Sequence, residues 1–187
     1  MQITKQYFET ELVPQLMKEL KISNTFAVPR LKKITLNVGV TDPQDPRARK
    51  PIIENVVAQL ATISGQKPQI TRASKSISGF KLRQGDPVGV MVTLRGDLMW
   101  VFLQKLITVA LPRVKDFRGV SLTAFDGHGN FSLGLDEQII FPEINYDTID
   151  RIRSLQVVMV TSTDSDEGAR VLLRLLGMPF AKEEKHG

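Results

Sequence analysis

Two segments alternate apolar and polar residues over the length of a strand, and their places in the chain narrow the fold to very few plans. In residues 30–40, Ile34, Leu36, Val38 and Val40 fall on one face, and Lys33, Thr35, Asn37 and Gly39 on the other. In residues 88–96, Val88, Val90, Val92 and Leu94 oppose Gly89, Met91, Thr93 and Arg95. Each pattern describes a strand buried on one side only. Residues 68–73 and 156–163 read as two further strands. Helical periods separate them. One runs from about Ile52 to Ile63 with Gly65 as its stop, and another is apolar almost all round after Asp97, its expected cap. The order is β-α-β-β-α-β, which predicts an α+β protein with a ferredoxin-like split βαβ core, an antiparallel sheet and helices on one face.

Additions flank this core. Residues 3–20 have the period of an N-terminal helix, with Tyr7, Phe8, Leu12, Leu16 and Leu20 on one side and a kink or break expected at Pro14. A last helix is expected to open at Thr163 or Asp164, with Glu167 near the capping-box position and Gly177 beyond its end. Residues 41–51 form a charged, turn-rich loop. Residues 116–154 read as an irregular insertion with a turn at FDGHGN and a strand-like QIIFPEI. At 187 residues, a single domain over 1–187 is expected.

Charge is distributed unevenly. Lys67, Arg72, Lys75, Lys81, Arg83 and Arg95 face one acid, Asp86, within residues 65–96, so this window alone carries the chain's net charge of +5. Basic charge gathered into a Gly- and Ser-rich stretch is the footprint of a polyanion partner. The loop at 74–86, SKSISGFKLRQGD, holds Lys75, Lys81 and Arg83 for phosphates and Phe80 to stack or to anchor it. The polar sheet face with Thr35, Asn37, Thr93 and Arg95 suits RNA, and Gly39 and Gly89 would allow close backbone approach. It lacks paired aromatics, so contacts to backbone, 2′-hydroxyls and shape are expected rather than stacked bases. The 116–154 insertion is the opposite: Asp116, Asp126, Asp136, Glu137, Glu143, Asp147 and Asp150 outnumber three arginines. That balance repels nucleic acid and attracts a basic protein, or is an ordinary solvated surface.

Other classes fare worse. Without cysteine there is no disulfide and no thiolate metal site, and neither a cofactor nor a metal is expected. The apolar runs near 98–111 are shorter than the roughly 20 residues of a membrane span. The opening MQITKQYFETELVPQ lacks an apolar signal region, so a soluble intracellular protein without membrane association is expected. No catalytic residues are assigned. His128 lies in a turn and His186 near the end; Ser64 and Lys67 match S-x-x-K without its companion motifs, and GHGNFSLG is not a dinucleotide-binding loop. Asp136 and Glu137 are adjacent acids, which are usually just solvated.

Five stretches then combine: VPRLKKITLNVGV, ISGQKPQITRASKSISGFKLRQGDPVGVMVTLRG, LPRVKDFRGVS, FDGHGNFSLGLDEQIIFPEI and LLGMPF. In content and order, over about residues 5 to 181, the chain resembles bacterial-type ribosomal protein L5, the family that carries 5S ribosomal RNA. The resemblance implies a non-enzymatic protein of the large ribosomal subunit, in a bacterial cytoplasm or an organelle stroma, that helps attach 5S RNA in the central protuberance beside other ribosomal proteins there. It implies 5S RNA contacts at Lys33, Thr35, Asn37, Gln66, Lys67, Thr93 and Arg95. It implies that Arg72, Lys75, Ser76, Phe80, Lys81 and Arg83 face P-site transfer RNA. It also implies that the acidic region with Asp136, Glu137, Glu143 and Asp147 approaches protein S13 of the small-subunit head. The 41–51 loop is longer and richer in proline than the family pattern, so nothing is carried over to it. RASKS lacks a basic residue that many relatives have at Ala73 or Ser74. The alternatives are an RNA-binding module outside the ribosome and, of another class, a small enzyme that holds a phosphorylated substrate on its basic loop.

Overall fold

The computed structural model describes residues 3–40, 46–144 and 149–181. Helix α1 covers residues 5–19, β1 is Leu31–Gly39, α2 is Pro46–Ser64 and β2 is Gln69–Arg72. Then follow β3 (Pro87–Leu94), α3 over residues 96–113, β4 (Phe131–Leu135), β5 (Leu155–Thr161) and α4 (Asp166–Leu175). The five strands form one antiparallel sheet in the order β2-β3-β1-β5-β4. Without β4, this is the strand order of a split βαβ core. The alternation on β1 and β3 is realised as burial: Ile34, Leu36, Val38, Val90, Val92 and Leu94 are buried, while Lys33, Thr35, Asn37, Met91 and Thr93 are half-buried.

The chain groups into two compact units, one of Met1–Ile34, Arg95–Leu133 and Val158–Gly187, the other of Thr35–Leu94 and Gly134–Val157. In the first, α1 buries Phe8, Leu12, Val13 and Leu16, and the Phe8 ring lies 5.5 Å from that of Trp100 on α3. Phe125, Phe131 and Phe180 form an aromatic cluster, and residues 179–181 are tied in by Val120, whose amide donates to the Pro179 carbonyl and whose carbonyl accepts from Ala181. In the second unit, α2 buries Ile53, Val56, Leu60 and Ile63, the period of one helical face. Val56, Leu60 and Ile63 line a small pocket with Val38 and Leu155, so this face covers the apolar side of the sheet. β2 and β3 pair Gln69 with Met91 and Thr71 with Gly89, and a bulge follows between Thr71 and Arg72.

The kink expected at Pro14 takes the form of a π turn at Phe8–Leu12, and a second one, which the sequence reading missed, lies at Leu106–Ala110 in α3. Each ends two residues before a proline, Pro14 or Pro112. Proline has no N–H and its ring crowds the carbonyl four residues back, so widening the preceding turn relieves the clash while the helix continues. The residue four before each proline is threonine. Its hydroxyl donates a further turn back, Thr10 to the Gln6 carbonyl at 3.0 Å and Thr108 to that of Gln104 at 2.8 Å.

Three expectations are corrected. The QIIFPEI segment is no strand: Gln138–Ile140 is a single 3₁₀ turn, and the strand of this region is β4. The buried Gln138 side chain takes over the pairing. Its Nε2 donates to the Arg151 carbonyl at 3.0 Å and its Oε1 accepts from the Arg153 amide, while the Gln138 amide donates to the Arg153 carbonyl at 3.2 Å. Helix α2 starts at Pro46 rather than near Ile52 and contains Pro51. Proline fits a first helical position, and the added turn is anchored by the buried Arg49, which donates to the Pro87 carbonyl at 3.0 Å. The residues preceding α3 and α4 are Arg95 and Ser165, not Asp97 and Thr163 or Asp164. Asp97 lies in the first turn of α3, where its charge suits the positive end of the helix dipole.

Candidate nucleic-acid interface

The polar side of the sheet is built by strand alternation. Lys33, Thr35 and Asn37 lie at successive alternate positions of β1, Thr35 and Asn37 between residues whose side chains enter the core and Lys33 between the exposed Lys32 and the buried Ile34. Asn37 Nδ2 lies 3.5 Å from Gln156 Oε1, a long hydrogen bond that leaves donor capacity on the amide. Gln156 is exposed on β5, opposite in phase to the buried Leu155 and Val157. The sequence reading recognised that strand but not Gln156 as part of the face. The missing information was that β5 adjoins β1, which periodicity does not reveal. On β3, Thr93 is half-buried, and the exposed Gln66 after α2 donates Nε2 to its carbonyl at 3.3 Å. Lys67 is exposed beside it. Arg95 follows directly on β3, exposed and in extended backbone. Of the two glycines expected to admit a close approach, Gly39 faces open space, whereas a Cβ on Gly89 would stand 2.8 Å from the Val38 carbonyl oxygen. Gly89 is therefore required by the sheet itself.

The basic loop between β2 and β3 is a hydrogen-bonded hairpin. Ala73 N donates to Asp86 O at 2.9 Å and Gly85 N to Ala73 O at 2.9 Å. Further out, Ile77 and Leu82 exchange two backbone bonds around a turn at Ser78–Phe80, with Lys81 in the left-handed region at φ 50°. Side chains brace the same frame: Arg72 Nη1 donates to Gly85 O at 2.9 Å, and Ser76 Oγ accepts from Gln84 N at 2.9 Å. Asp86, the one acid, accepts from the Arg83 amide at 2.8 Å. Arg72 and Ser76, expected to face a ligand, thus also hold the loop together. Lys75, Lys81 and Arg83 are exposed and in no ion pair among the described residues, and Phe80 is exposed at the tip.

The acidic segment belongs to both units. Asp116 and Asp126 fall in the first, and Asp136, Glu137, Glu143 and Asp150 in the second. Asp147 lies outside the described residues. Asp136, Glu137 and Glu143 are exposed, whereas Asp150 pairs with Arg153 at 3.1 Å. Asp126 shapes the FDGHGN turn, accepting from Asn130 Nδ2 at 2.7 Å and from the His128 and Asn130 amides at 2.9 and 3.0 Å. These bonds, that from the Asn130 side chain foremost, hold its carboxyl below the ordinary value of 3.8. Ser64 is buried, donating to Leu60 O at 2.6 Å and accepting from Gln66 N at 3.3 Å, so it closes the end of α2.

A polar sheet face and a basic hairpin on a split βαβ core define an α+β protein whose class is that of the family its sequence matches. The model of the family "Ribosomal protein L5" matches residues 24–83, and the model of that family's C-terminus matches residues 87–180. Large ribosomal subunit protein uL5 of Chloroflexus aurantiacus strain J-10-fl is 56% identical over 177 residues, covering 94% of this chain and 96% of the relative. The protein of the same name from strain Y-400-fl matches equally. The chain belongs to the ribosomal protein L5 family, and is a structural, non-enzymatic constituent of the large ribosomal subunit.

Proposed function

We propose that this protein binds 5S ribosomal RNA through the polar side of its sheet and helps attach it in the central protuberance. The observation that carries the reading is the row Lys33, Thr35 and Asn37 on β1, half-buried and polar, on a strand whose Ile34, Leu36 and Val38 are locked in the core. Such a row is rigid, so its donors and acceptors bind a folded RNA surface at low ordering cost. Gln66, Lys67, Thr93 and Arg95 complete the contact set, Lys67 and Arg95 through phosphates. The hydrogen-bonded hairpin with Lys75, Lys81 and Arg83 reaches P-site transfer RNA, with Arg72 and Ser76 bracing it and Phe80 at its tip. Asp136, Glu137 and Glu143, and Asp147 by sequence, meet the basic protein S13 of the small-subunit head. The bacterial relatives favour a bacterial cytoplasm over an organelle stroma.

The test is a titration of the purified protein with 5S RNA at about 0.2 M salt, where nonspecific phosphate binding is suppressed, with transfer RNA as competitor. Tight binding that transfer RNA does not displace supports the reading. Equal, weak binding of both RNAs removes it.

A further inference from the structure

Phe26 is the most exposed large apolar residue described, at 89%. It is not on a frayed segment. Thr25–Ala27 is a 3₁₀ turn whose preceding Asn24 accepts the Phe26 amide on its side chain at 2.9 Å and the Ala27 amide on its carbonyl at 3.1 Å. Val28 and Pro29, directly after it, are buried. Arg30 fastens the turn from the other side: its Nη2 donates to the Thr25 carbonyl at 3.4 Å, its amide donates to Ser162 Oγ at 2.8 Å, and its carbonyl accepts from Ser162 N at 2.8 Å. The fold therefore holds a phenyl ring out into water on a fastened turn.

The flanking sequence points to the partner. Residues 20–41 contain no acid and four bases, Lys21, Arg30, Lys32 and Lys33. Lys21 and Lys32 are exposed and in no ion pair among the described residues. An exposed aromatic on a stretch of chain that carries cations and no acid matches a nucleotide, with a flat base for the ring and a phosphate for the cations. The turn thus presents a ring of the kind that the polar sheet face lacks. We propose that Phe26 is a stacking platform for an unpaired base of the RNA this protein binds, with Lys21 and Lys32 on the adjoining phosphates. The inference rests on the RNA-binding reading above but names a contact outside the sheet face and the hairpin.

The test compares wild type with Phe26→Ala, Phe26→Leu and Phe26→Trp, titrated with 5S RNA at about 0.2 M salt. The ring touches little of the protein, so all four fold. Base stacking predicts a loss of about 5- to 100-fold for Ala and for Leu, retention for Trp, and an unchanged salt dependence, since stacking releases no counterions. Trp100 is the chain's one tryptophan and is buried, so subtracting the wild-type emission isolates position 26 in the Trp variant. RNA should quench that emission. Wild-type affinity in Phe26→Leu, or emission indifferent to saturating RNA, overturns the proposal. Should wild type fail to prefer 5S RNA over transfer RNA, the function proposed above falls. Quenching by either RNA still decides the stack.

Discussion

Gly89 shows how one position is chosen by the backbone of its neighbours. A methyl there would meet the Val38 carbonyl oxygen at 2.8 Å and Thr71 Oγ1 at 3.0 Å, inside the sheet where neither strand has room to yield. Gly89→Ala is expected to cost about 1–3 kcal/mol by overpacking, read as a lower urea midpoint. Asp126 adds a pH dependence. Its folded pKa lies below the unfolded value, so its contribution is complete above about pH 4 and is lost as pH falls through the lowered value. Acidification through that value should lower the protection factors of the His128 and Asn130 amides, their exchange rates being taken relative to the intrinsic rate at each pH, and Asp126→Asn should remove that response. For RNA, Asn37→Ala is expected to weaken 5S binding by about 1–3 kcal/mol if its amide reads a specific group.

At the scale of elements, the hairpin and the 138–153 clamp behave differently. The hairpin frame is backbone-paired, with Lys75, Lys81 and Arg83 exposed around it. Lys81→Ala with Arg83→Ala should therefore leave folding and 5S binding nearly intact while weakening transfer RNA binding. Loss of 5S binding in that pair would show that the division between sheet and hairpin is wrong. Gln138 works from inside. Removing its side chain strands the Arg153 amide and the Arg151 carbonyl, so Gln138→Ala should cost about 1–3 kcal/mol in urea unfolding. This element was also illegible in the sequence: QIIFPEI has strand composition, yet a buried side-chain amide stands in for a ladder partner. Pro14 was legible as a helix disturbance but not as a π turn, because the sequence shows the missing N–H and not how the helix accommodates it.

For the whole molecule, charge sets the salt response. With about six phosphates engaged, log affinity for 5S RNA should fall against log salt with a slope of roughly −4 to −5, and a slope near zero would remove the electrostatic account. The β-α-β-β-α-β order of the core, though not the added strand β4, the buried face of each central strand and the concentration of positive charge at 65–96 were determined by the sequence, because periodicity and local charge are properties of neighbours along the chain. The motif content was specific enough to indicate the family. What only the tertiary structure decided were matters of which strand lies beside which. Gln156 joins Asn37, Gly89 is needed for Val38, Arg49 holds an added helical turn through Pro87, and the acids of 116–154 fall in two units. Each depends on residues far apart in sequence being brought within ångströms, and a one-dimensional pattern carries no such distance.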